Sequence, residues 1–168
     1  MGIFNFLSKK KTPRNTPKKI SKLNNNPTTW IDAQYEDNPR KKENILLIAE
    51  SDNQNDFIEL HFIYNHLIDL YYKQRNDWDD ALPKCIECCW KDIEIFPLFK
   101  DSYLKSELHN QDGTIPRIPS FQRLAIIYEK KGDTKKAISI CEKAIDYGLT
   151  EKTKGGFNGR LDRLKKKL

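Results

Sequence analysis

The sequence is poor in the features that would announce a membrane protein, a secreted scaffold or an enzyme. No apolar run approaches the roughly 20 residues needed to cross a bilayer. No signal peptide is visible: the apolar start is very short, and its lysines follow it instead of preceding it. There are only four cysteines; three are crowded into CIECC and the fourth is Cys141, which is no disulfide framework. HExxH, a P-loop ending and a plausible Ser-His-Asp order are all lacking, as is a paired-carboxylate signature. These absences predict a cytoplasmic, non-catalytic protein without a cofactor.

Acidic residues are missing from residues 1–31, which hold Lys9, Lys10, Lys11, Arg14, Lys18, Lys19 and Lys22. The formal net charge is +6 over 168 residues, so nearly neutral chain follows a basic tail. Binding to nucleic acid would therefore rest on the tail. Pro13, Pro17, Pro27 and the NNN run, without hydrophobic periodicity, predict disorder, and residues 1–38 are taken as a basic N-terminal tail. Ile3, Phe4, Phe6 and Leu7 ahead of the lysines offer a weak contact with an anionic membrane. Phe6 stands where a myristoylation signal needs Ser or Thr.

Helical periodicity governs the rest, 39–168. Ile45, Leu46, Ile48 and Ala49 mark a short helix, with Asp52 or Asn55 able to start the next. Phe57, Leu60, Ile63 or Tyr64, Leu67, and Leu70 or Tyr71 make an apolar stripe to about Gln74. Asp79 or Asp80 can cap a third helix carrying Cys85, Cys89 and Ile93, with Pro97 expected to stop it after Phe96. Leu98, Phe99, Tyr103, Leu104 and Leu108 suffice for a further short helix. QDGTIPRIPS then reads as a loop, with a turn at Asp112-Gly113.

Phe121 to Leu149 reads as a helical hairpin. Phe121, Leu124, Ala125, Ile127 and Tyr128 face inward on its first helix, and Gly132-Asp133 breaks it. Ala137, Ile138, Cys141, Ala144 and Ile145 face inward on the second, which Gly148 ends. Phe121, Leu124-Ala125, Tyr128, Gly132, Ala137, Cys141 and Ala144 stand at the intervals of a tetratricopeptide repeat, and residues 118–151 resemble that family. Cys141 replaces a usual aromatic and Leu149 a frequent Pro. Asn55–Gln74 with Asp80–Phe96 resembles a second, lengthened and degenerate repeat.

The resemblance implies an all-α fold: a short right-handed solenoid of tetratricopeptide-like hairpins. A single repeat cannot bury its own apolar faces. Phe157, Leu161, Leu164 and Leu168 keep roughly helical spacing, so the C-terminal segment is expected to cap the array. The resemblance also implies a scaffold or adaptor role, with a protein or peptide partner docking on the first helices. There Asn65, Asp69, Tyr72, Gln122, Arg123 and Tyr128 are the candidates. The competing class is nucleic-acid or membrane-surface binding through residues 1–31.

Two motifs have alternative readings. Cys85, Cys88 and Cys89 have part of a zinc spacing but no second knuckle, and Cys85, Cys89 and Cys141 fall on small-residue core positions, which favours packing. Lys152, Lys154, Arg160 and Arg163 surround a glycine-rich helix start. That is either an anion contact or a linker before a helix with a solvated basic face.

Overall fold

A computed structural model describes residues 27–108 and 114–168. The expectations for residues 1–26, His109 and the Asp112-Gly113 turn lie outside the described residues. Six α-helices follow in chain order: α1 (Pro39–Asp52), α2 (Phe57–Lys73), α3 (Ala81–Lys105), α4 (Pro119–Lys130), α5 (Thr134–Asp146) and α6 (Gly156–Lys165). No strand occurs among the described residues. The fold is all-α.

Local chemistry sets several helix starts. Asn38 accepts hydrogen bonds from the Arg40 and Lys41 amides, with Pro39 pre-set at the first position of α1. Asp56, one residue beyond the expected Asn55, accepts from the Ile58 and Glu59 amides. Asp133 accepts from the Lys136 amide at 3.3 Å to open α5. Asp80 makes no such cap; its carboxylate meets Lys84 Nζ at 2.7 Å instead.

Each helix packs on the next, and α2 also touches α4. The α2–α3 pair is antiparallel: His61 meets Asp92 at one end and the Ile68 carbonyl meets Cys85 at the other. One continuous core runs through the stack. It includes Leu46 of α1, Ile63 and Leu67 of α2, Phe96 and Phe99 of α3, Phe121 and Leu124 of α4, Ala144 of α5 and Leu164 of α6. A lone hairpin would leave these faces wet, so stacking is what makes each one stable.

Two polar knots fasten the first helices. Glu43 of α1 is buried; its Oε1 accepts from Tyr71 Oη of α2 at 3.0 Å and Lys84 Nζ of α3 at 2.8 Å. His61 and Asp92 are both fully buried, with Nδ1 to Oδ1 at 2.6 Å. The imidazole stacks on Phe99, with ring centroids 3.9 Å apart.

Three expectations need correction. Pro97 does not stop its helix: α3 runs through it for 25 residues, absorbing the short helix expected after it. The missing N–H costs one backbone bond. Phe96 and Phe99, both fully buried, anchor the chain on either side and hold it helical. Order also begins before residue 39. Trp30 lies in a 3-10 turn (Trp30–Ala33) and stacks on His66 at 5.1 Å, while Asn53 Nδ2 donates to the Thr28 carbonyl at 2.6 Å. On α5, Ile140 is buried, whereas Ile138 and Ile145 are only half-buried.

All four cysteines are free and buried, Cys88 included, although it lies off the expected stripe. Burial raises the Cys88 thiol well above its ordinary range and pushes that of Cys141 up to about 11. These thiols pack as small hydrophobes.

Candidate partner-binding groove

The α2–α4 contact brings together two candidates from distant parts of the sequence. Tyr72 sits in the last turns of α2, and the Arg123 guanidinium of α4 lies 3.8 Å from its ring centroid. Two further cations join them. Arg75, just past α2, stands at 4.3 Å, and Lys130, at the end of α4, at 5.9 Å. Lys130 Nζ also donates to Tyr72 Oη at 3.3 Å. Tyr72 is half-buried, and Arg75 and Lys130 are exposed.

The electrostatics of this cluster are one-sided. Arg75, Arg123 and Lys130 make no ion pair with a carboxylate among the described residues. Glu129, the neighbour of Lys130, is held instead by Arg160 at 3.1 Å and Lys167 at 2.6 Å. Asp69, one turn before Tyr72, pairs with Lys73 at 2.7 Å. The Arg123 Nε is buried without a hydrogen-bond partner among the described residues. Burial opposes ionisation of the Tyr72 phenol, but Lys130 and Arg123 outweigh it and bring the phenol below its ordinary range.

The other candidates are placed differently. Asn65 turns toward the buried His61, with Nδ2 to Nε2 at 3.0 Å. Gln122 accepts from the Arg117 guanidinium at 2.8 Å. Tyr128 is buried, and its hydroxyl accepts from Trp90 Nε1 of α3 at 3.1 Å, so it braces α4 on α3.

At the C-terminal end, Arg160 is no free cation. It is buried, with Nε and Nη2 donating to Glu151 at 2.9 and 3.1 Å and Nη1 donating to Glu129 at 3.1 Å. The expected solvated basic face thus contains an interior ion-pair network that ties α6 to α4. Lys152, Lys154 and Arg163 are exposed, and Arg163 donates to the Lys154 carbonyl at 3.4 Å. The glycines serve the turn. Gly155 has φ +79, and a Cβ on Gly159 would stand 2.6 Å from the Lys154 carbonyl oxygen.

Tyr72 and Arg123 of this cluster are among the candidates the sequence offers; Arg75 and Lys130 are not. Those two sit at helix ends, outside the inward stripes, and only the α2–α4 contact shows that they share a partner. Buried Glu43, His61 and Asp92 also carried no local signal.

Among the described residues, no helix is long and apolar enough to cross a membrane. No curated protein matches the chain, and no solved structure does. The tetratricopeptide repeat family model matches residues 120–153, about a fifth of the chain and nearly the span expected from the motif. The matched segment holds α4, α5 and the approach to α6, with the inward residues at the family's intervals. Such repeats generally mediate protein–protein interaction and typically serve as scaffolds. Residues 120–153 are therefore a tetratricopeptide repeat, carried in an all-α helical repeat fold.

Proposed function

We propose that this chain is a non-catalytic adaptor that binds a segment of a partner protein in the groove between α2 and α4. The observation that supports it most is the convergence of Tyr72 and Arg123, with Arg75 and Lys130, where the two first helices meet. An aromatic face and unpaired cations, presented by rigid helices, are the anchors protein interfaces favour. Asp69 and Lys73, paired with each other, lie within one turn of Tyr72 on α2. Four buried free thiols suit a reducing compartment, in keeping with a cytoplasmic setting.

The test is affinity capture by the full chain from native lysate, with nuclease present, at low and high salt. Three chains are compared: wild type, Arg123→Glu with Lys130→Glu, and a tail variant with Lys9, Lys10 and Lys11 changed to Gln. One identified protein is expected, retained at high salt by wild type and tail variant and lost by the groove variant. If everything captured is lost with the tail charges or with salt, the basic N-terminus is the binding element and the groove reading fails.

A further inference from the structure

The charge of the groove narrows the partner's chemistry, an inference that rests on the groove reading above. Three cations from two parts of the fold lie within 5.9 Å of one ring centroid. Side chains of like charge repel, and ordinary surfaces intersperse the signs. Several cations of this molecule do sit between anions: Lys84 lies between Glu43 and Asp80, Lys91 between Glu50 and Glu87, and Arg160 between Glu129 and Glu151. Around Tyr72 the balancing anions are missing among the described residues.

We infer that the groove receives an internal acidic segment of the partner, whose side-chain carboxylates meet Arg123, Arg75 and Lys130 around Tyr72. Guanidinium groups donate to a carboxylate in a two-pronged fashion, and the Arg123 Nε is a buried donor without an acceptor among the described residues. Arg123 and Lys130 are two turns apart on α4, about 10 Å along its axis. Alternate residues of an extended chain are about 7 Å apart on one side. Two carboxylates at that spacing suit the two ends of the cluster once the long side chains bend inward, as they already do over Tyr72. The ring supplies a flat apolar wall for the stretch between them.

The test uses the full chain and a fluorescein-labelled peptide of five Glu-Ser pairs with blocked ends, so that no terminal carboxylate takes part. Its Gln-Ser and phosphoserine counterparts are the comparison probes. Fluorescence anisotropy is measured for wild type, for Arg123→Gln with Lys130→Gln, and for the Lys9, Lys10 and Lys11 to Gln tail variant; circular dichroism verifies that each is folded. The Glu peptide is expected to bind wild type and the tail variant within about threefold of each other. The groove variant is expected to lose roughly tenfold or more, the scale of a lost charged hydrogen bond. Saturating Glu peptide is also expected to move ionisation of the Tyr72 phenol to higher pH, read as phenolate absorbance against Tyr72→Phe, because it neutralises the cations that favour the phenolate.

Equal binding of the Glu and Gln peptides overturns the acidic assignment and leaves the groove reading standing. A phosphoserine peptide held more than tenfold tighter than the Glu peptide overturns the carboxylate assignment. Loss of Glu-peptide binding with the tail charges but not with the groove charges also overturns the inference. So does failure of all three peptides to bind, in which case the partner captured from lysate still decides the groove reading.

Discussion

Replacing Arg160 by alanine is expected to release the last helix. The Glu151 carboxylate is almost fully enclosed, at 1% side-chain exposure, and Arg160 is the cation that meets it. Removing one partner of a buried pair costs about 3–5 kcal/mol, because the remaining charge stays buried and unpaired. The second contact adds less: Glu129 is 28% exposed and keeps Lys167. Against this loss stands the docking of α6, which buries Phe157 and Leu164. Burying two such side chains contributes about 3–6 kcal/mol before the cost of ordering ten residues is subtracted. The expected loss therefore matches or exceeds what holds α6 in place. At about 2–4 °C per kcal/mol for a protein of this size, Tm should fall on the order of 10 °C. Trypsin should cut sooner after Lys152 and Lys154, which flank the helix and are exposed. Replacing Glu151 by Gln in the same chain should restore part of the loss, since a neutral amide costs less to leave unpaired. A drop in Tm below about 2 °C with unchanged trypsin sensitivity would refute the claim that this ion pair secures α6.

Three further outcomes follow from particular residues. Pro97→Ala should raise Tm: the site is exposed, so little packing is lost, while a helical N–H is regained against a proline cost of about 3 kcal/mol. A thermal melt checks it. Gly159→Ala should destabilise by about 1–3 kcal/mol, because its Cβ has to displace the Lys154 carbonyl, and denaturant titration measures the loss. Glu43→Gln should flatten the acid limb of stability. Burial raises the pKa of Glu43, but Lys84, Arg40 and Tyr71 together bring it below the ordinary 4.5. A folded value lower than the unfolded one adds stability that is fully present above about pH 4.5 and is lost as pH falls through the folded value. Urea midpoints across that range should slope in wild type and less in the variant.

Local pattern carried the hairpin best. Phe121, Leu124, Ala125 and Ile127 repeat at helical spacing, Gly132 adopts the positive φ that ends the first helix, and the structure buries all four apolar residues. The same logic failed at Pro97, where a local rule meets a stronger tertiary one. Phe96 and Phe99 are fully buried on either side, and the last turns of α3 follow them. It failed again at Arg160, since an arginine in a basic segment gives no sign that two carboxylates from separate places will enclose it. His61 and Asp92, 31 residues apart, are equally silent in sequence. In the groove, Tyr72 and Arg123 were legible as first-helix residues, whereas their meeting was not. Lys130 lies 58 residues from Tyr72, and only the stacking of α4 against α2 brings it to the phenol.

The most direct measurement for the groove is site-specific photocrosslinking in the full chain. A photoreactive amino acid is placed at Asp69, exposed one turn before Tyr72 on α2, or at Ser139, exposed on α5, and the crosslinked peptides are read by mass spectrometry. Position 69 is expected to capture one segment of one partner, Arg123→Glu to abolish the capture, and position 139 to capture nothing comparable. A specific partner crosslinked from position 139, or capture at 69 unaffected by Arg123→Glu, would contradict the groove reading.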